Sequence, residues 1–220
     1  MSAAGAGART LRERAARWLQ ALSERGRRSD GLLQAAQTWD AQYAAGRWDF
    51  LAELSELARF SILAGYVYHL KPGGAVLDVG CGQGVLLRRL PAAAYSKYVG
   101  VDVAAGAIKV AQRQQNERAS FLASDCEEYS PAEQFDVIVF NEVLCCLRDP
   151  LHTVERYARS LRPGGLLLVS LCTAARGSAT ILWQLKRAYA VADEVCVTHG
   201  ARKVSWVCMA LRPGDAPGGA

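Results

Sequence analysis

Asp78, Gly80, Gly82 and Gly84 stand at alternate positions in VLDVGCGQG (76–84), and a second acid, Asp102, follows Asp78 by 24 residues. Glycine has no Cβ, so three glycines at this spacing let the chain take left-handed angles and come close to a ligand. A carboxylate at the end of the next strand can accept from both hydroxyls of a ribose. The pair points to a cofactor containing adenosine. A dinucleotide site wants its third glycine one residue later, where Val85 stands, and a dehydrogenase would also need a second, substrate-binding domain. For proton transfer the candidates are Glu142, Tyr43 and His199. Glu142 ranks first, because it follows an expected strand at the carboxyl edge of the sheet, where ligands bind in this architecture. His199 precedes Gly200 and reads equally as a turn residue, and His152 falls on the polar face of its helix.

These residues need a scaffold, and from Lys71 onward the chain alternates strand and helix, the pattern of a parallel sheet covered on both faces. Strands are expected at 75–79, 98–103, 119–122, 135–140 and 165–171, with a closing pair at 194–198 and 203–211. Helices are expected at 84–90, 105–115, 150–161 and 178–189. The third is the best marked: Asp149 can cap it, Pro150 suits its first turn, and Leu151, Val154, Ala158 and Leu161 form its stripe. Upstream, 9–28 has Leu11, Ala15, Trp18, Leu19 and Leu22 at helical spacing with arginines opposite, which reads as a surface helix. Residues 51–70 form a long helix whose stripe is Leu54, Leu57, Ala58 and Ser61, stopped by Lys71-Pro72-Gly73-Gly74. Between them lies the aromatic segment WDAQYAAGRWDF (39–50). Trp39 and Tyr43 share a helical face that Gly46 ends, so the segment can pack in the core or form a lid, with Trp39, Tyr43 and Trp48 as its wall and Arg47 as a carboxylate partner.

The expected fold is therefore α/β: a Rossmann-like, seven-stranded, mostly parallel sheet with helices on both faces and a helical N-terminal extension. Residues 1–8 and 212–220 are expected to be disordered, 9–70 to form the extension or lid, and 71–211 the cofactor-binding domain. With 220 residues, 51% of them hydrophobic, the chain can bury one sizeable core. No run of about 18 apolar residues suggests membrane insertion, and a cytoplasmic protein is expected. Of the net charge of +5, residues 1–30 hold most, seven arginines against Glu13, Glu24 and Asp30. The rest is almost neutral, which argues against a surface that tracks a phosphate backbone. Seven cysteines, an odd number without paired spacing, read as buried reduced thiols and offer no metal site.

VLDVGCGQG, followed in order by YVGVDV, SDCEEY, FDVIVFNEVL and RPGGLLLVS, resembles the class I S-adenosylmethionine-dependent methyltransferases, strongly over 70–171 and more loosely elsewhere. The resemblance implies S-adenosylmethionine as cofactor. Gly80, Cys81, Gly82 and Gly84 would pass under its methionine and ribose, Asp78 would suit the ammonium, and Asp102 the ribose hydroxyls. Val103 would pack on adenine, Asp125 would accept from the adenine amine, the Cys126 amide would donate to the ring, and Asn141 would lie beside the transferred methyl. Structural alternatives exist for two of them, a strand-end cap for Asp102 and a turn for Asp125.

The nucleobase-amino methyltransferases of this fold carry (D/N)-P-P-(Y/F) where this chain has Asn141-Glu142-Val143-Leu144, which argues against a flipped base. An acidic metal cluster for a catechol reaction is also missing from the pattern. NEVLCCLRDP is similar to small-molecule N- and O-methyltransferases, so the expected partner is a small metabolite. The rival readings are an RNA or protein methyltransferase docking through its arginine-rich N-terminus, and a non-catalytic cofactor-binding regulator.

Overall fold

The computed structural model describes residues 32–214. The expected helix at 9–28 and both expected disordered ends lie wholly or mostly outside these residues. Helix α1 (Leu32–Ala44) comes first, then a single 3-10 turn (Asp49–Ala52) and α2 (Leu54–Leu70). The sheet and its helices follow as β1 (Gly74–Val79), β2 (Tyr95–Asp102), α3 (Ala105–Ala111), β3 (Ala119–Ala123), β4 (Phe135–Asn141), α4 (Pro150–Ala158), β5 (Leu161–Cys172), α5 (Ser178–Ala188), β6 (Ala190–His199) and β7 (Val204–Arg212).

The seven strands lie in the order β3-β2-β1-β4-β5-β7-β6. Pairs among β1 to β5 are parallel, and β7 runs antiparallel to both β5 and β6. The strand order reverses at β1, which puts the switch point, and with it the ligand crevice, at the carboxyl ends of β1 and β4. Val76, Leu77 and Val79 are fully buried, as a strand covered on both faces requires. One core layer sets Phe60, Leu63 and Val67 of α2 and Ile108 of α3 on Val76, Val137 and Leu166. The other sets Val154 and Tyr157 of α4 and Ile181 and Leu185 of α5 on Leu77, Ile138 and Leu167. Asp149 caps α4 by accepting from the His152 N–H at 3.1 Å, with Pro150 in the first turn and His152 exposed, as the sequence predicts.

The structure corrects the predicted elements in three places. Helix α4 ends at Ala158, and Leu161, expected on its stripe, opens β5 instead. Residues 84–90 form turns with a short 3-10 segment at Leu87–Arg89 instead of a helix. Pro91 disfavours helical angles at the residue before it and holds Leu90 extended, at φ −83° and ψ 127°. In α2 the expected stripe is on the wrong face: Leu54 is 81% exposed, and Glu56, Arg59, Phe60, Leu63 and Val67 face inward. Hydropathy places Glu56 and Arg59 outside, but they neutralise one another and so tolerate burial. All seven cysteines are free, yet they are not uniformly buried, since Cys196 is exposed on β6.

Candidate functional site

A cavity opens at the carboxyl ends of β1, β2, β3 and β4, under α1 and the aromatic segment that follows it. Its floor is the turn after β1. Gly80 and Gly82 both take positive φ, 73° and 52°. A Cβ on Gly80 would meet Val143 Cγ2 at 2.6 Å, and one on Gly82 would meet the Tyr43 hydroxyl at 2.5 Å. Glycine is required at both positions by conformation and by space.

Three carboxylates line the floor in sequence. Asp102 accepts from the Gly82 N–H at 2.8 Å and the Ala104 N–H at 2.9 Å, so it fastens the glycine turn to β2 while keeping lone pairs for a ligand. Asp125 accepts from the Glu127 N–H at 2.7 Å and shapes the turn after β3, and it also lines the cavity. Each of these acids therefore has the structural role weighed for it from the sequence and a place at the site as well. The neighbours Val103 and Cys126 line the same wall, and the Cys126 carbonyl is anchored by Tyr157 Oη at 3.0 Å.

Asp78 is 2% exposed. The Tyr98 hydroxyl donates to one of its oxygens, and the other, Oδ1, has no partner in the structure. Burial raises its pKa from the ordinary 3.8 to about 7, with the Tyr98 hydrogen bond opposing and the charge of Asp102 adding to the rise. In the folded protein the proton is held more tightly than in the unfolded chain, so this group costs stability as pH rises from the ordinary carboxylate range toward 7. A cationic ligand group beside Oδ1 reverses the preference. Binding such a ligand at pH 6 is expected to release a proton, and affinity to rise between pH 5 and 8 and level off above about 7. Calorimetry in buffers of different ionisation enthalpy reads the proton directly; no proton release at pH 6 would contradict this assignment.

The wall beside the glycine turn is built from α2, β4 and β5. Arg59, 1% exposed, donates to Asn141 Oδ1 and, at 3.0 Å, to Glu56. The hydroxyl of Ser170, fully buried on β5, lies 2.7 Å from Asn141 Oδ1 and 3.2 Å from Glu142 Oε1, and its carbonyl accepts from the Glu142 N–H. Glu142 holds φ +62°, a conformation that non-glycine residues avoid and that clusters at functional sites. Sequence reasoning missed Arg59, Glu56 and Ser170. The signals were a charged pair three apart within the apolar α2 and one serine inside the apolar run of β5.

Overhead, Trp48 sits among Trp39, Tyr43 and Phe50, with ring centroids 5.5, 6.1 and 5.9 Å away. Asp40 accepts from the Gly106 N–H at 2.7 Å and ties α1 to the start of α3. Trp39, Tyr43 and Trp48 line the cavity, as a lid would. Three predicted site residues, Gly84, Arg47 and His199, do not. Arg47 is exposed on the turn that Gly46 makes and is not part of the cavity lining. His199 ends β6, where its Nδ1 accepts from the Arg202 N–H at 3.1 Å, a turn role in place of the catalytic one. Asp78, Gly80, Cys81, Gly82, Asp102, Val103, Asp125, Cys126, Asn141, Glu142, Tyr43 and Trp39 are brought together around the cavity, and Gly84 lies just behind it.

This strand order, with a glycine turn after β1, an acid ending β2 and another after β3, is the fold of the class I S-adenosylmethionine-dependent methyltransferases. The model of the Methyltransferase domain family matches residues 8–208, and the chain belongs to that family. The Ubiquinone biosynthesis O-methyltransferase of Klebsiella pneumoniae (strain 342) is 29% identical over 177 residues, covering 73% of this chain and 72% of that protein. The Malonyl-[acyl-carrier protein] O-methyltransferase of Priestia megaterium is 33% identical over 101 residues, covering 44% of this chain. The chain spans 36% of the length of that relative and 44% of the Ubiquinone biosynthesis O-methyltransferase of Aromatoleum aromaticum. Among solved structures, the N-methyltransferase NodS from Bradyrhizobium japonicum WM9, in complex with S-adenosyl-l-homocysteine, shares the fold. It has a TM-score of 0.66 and 21% identity, over 90% of this chain and 98% of that one.

Proposed function

We propose that the cavity holds S-adenosylmethionine and that the protein transfers its methyl group to a nitrogen or oxygen nucleophile of a small metabolite. The observation that carries this reading is the convergence of the glycine turn, Asp78, Asp102 and Asp125 on one cavity. The residues fit the cofactor: a buried carboxylate oxygen without a partner suits an ammonium, and the two glycines leave a cradle that side chains would fill. Asp102 would take the ribose hydroxyls, Asp125 and Cys126 the adenine edge, Val103 the adenine face, and Arg59 with Asn141 the amino-acid end.

When bound, the cofactor supplies a methyl group activated by a positively charged sulfur. What the chain supplies is alignment and exclusion of water. Trp39, Tyr43 and Trp48 cover the cavity, and Val143, Cys146 and Leu147 give it an apolar side, so the acceptor is held within reach of the methyl with solvent displaced. Glu142, fixed by Ser170, is placed to take a proton from an acceptor that arrives protonated or as an alcohol. A small, partly apolar acceptor is supported by this lining and by the relatives named for ubiquinone biosynthesis.

Asp102→Ala is expected to weaken binding of S-adenosylhomocysteine by about 1.5 to 3 kcal/mol, the scale of hydrogen bonds to a charged group. Titration calorimetry checks it. An affinity equal to that of the unaltered protein would remove Asp102 from the cofactor site.

A further inference from the structure

Two buried arginines share one buried carboxylate at the edge of the cavity. Glu56, 0% exposed, has its Oε2 3.0 Å from Arg59 Nη2 and its Oε1 2.8 Å from Arg202 Nη1. The arginine side chains are 1% and 3% exposed, and the Nε of each has no partner in the structure. Arg202 does not line the cavity. It stands on the hairpin between β6 and β7, where Nη1 also donates to Ser55 Oγ at 2.8 Å and the backbone N–H donates to His199. With both arginines and the glutamate charged, the group holds a net +1 out of water. Buried charge without a counterion is costly, and of the three side chains Arg59 is the one that faces the cavity. An anion arriving there completes the arrangement.

We propose that Arg202 is a positioning residue for cofactor binding: by sharing Glu56 it leaves Arg59 with the positive charge that holds the carboxylate of S-adenosylmethionine. This rests on the cavity being the cofactor site. Without Arg202, Glu56 and Arg59 form a neutral pair, and a ligand carboxylate beside them meets opposed fields of similar size. Arg202 breaks that balance from outside the cavity. The hairpin tip thus tunes affinity for the anionic end of the ligand and leaves its nucleoside end untouched.

The test is calorimetric titration with two ligands, S-adenosylhomocysteine and 5′-methylthioadenosine, which keeps the nucleoside and thioether but lacks the amino-acid end. Arg202→Met is expected to lose about tenfold in affinity for S-adenosylhomocysteine and to stay within about twofold for methylthioadenosine. Arg202→Lys should recover most of the loss. Arg202→Gln, which keeps a polar partner for Ser55, takes the place of Arg202→Met if that variant does not fold. Unchanged affinity for S-adenosylhomocysteine, or an equal loss for both ligands, overturns the proposal and leaves the cofactor site standing. Failure of the unaltered protein to bind S-adenosylhomocysteine overturns both.

Discussion

Glu142→Gln is expected to lower turnover of the small acceptor by about 10²- to 10⁴-fold, the usual contribution of a positioned general base. Glutamine keeps the shape and can keep the contact with Ser170, but it cannot take a proton. Glu142 sits at the end of β4 with Ser170 behind it and a strained backbone beneath it, φ +62°, so its carboxylate is held by the fold at the carboxyl edge of the sheet. Affinity for S-adenosylhomocysteine should stay within about twofold, because Asp102, Asp125 and Arg59 are unaltered. The deficit should shrink as pH rises, since the acceptor then loses its proton to solvent before it binds. Steady-state rates measured across pH separate the cases: turnover within threefold of the unaltered protein would show that alignment alone suffices and that Glu142 carries no proton.

The largest effect on stability is expected from Glu56→Gln. The change leaves two buried guanidinium groups without the carboxylate between them, and breaking a buried ion pair costs about 3 to 5 kcal/mol. For a domain of this size that lowers Tm by roughly 6 to 20 °C. Added S-adenosylhomocysteine should restore part of the loss, since its carboxylate would stand near Arg59. Thermal denaturation with and without the ligand reads both effects, and a Tm within 2 °C of the unaltered protein would show that the three side chains carry little energy.

The central strands β1, β4 and β5 were legible because each holds an apolar run buried on both faces, which leaves that pattern little freedom, whereas the edge strand β6, with no buried residue, was read only over 194–198. The glycine turn, Asp102 and Asp125 were legible because a nucleoside fixes where glycines and carboxylates must stand along one strand-turn unit. The inward face of α2 was not legible. Its stripe includes Glu56 and Arg59, which tolerate burial as an ion pair, and Glu56 has a second partner in Arg202, 146 residues further along the chain. Ser170 was missed for a related reason, as its partners Asn141 and Glu142 lie on the neighbouring strand. The helix expected at 84–90 failed on Pro91, a local signal outweighed in the reading by its apolar content. Arg47 was assigned on chemistry alone, and the turn at Gly46 carries it away from the site, whereas Trp39 and Tyr43, at helical spacing, keep their place over it.

The cavity is expected to deliver a methyl group to a small metabolite. Incubating the protein with methyl-labelled S-adenosylmethionine and a cell extract separated into metabolite, RNA and protein fractions tests it most directly. Label is expected in the metabolite fraction, and in none of the three when Glu142→Gln is used at neutral pH. Label confined to RNA or protein, or no transfer at all by a protein that binds the cofactor, would contradict it.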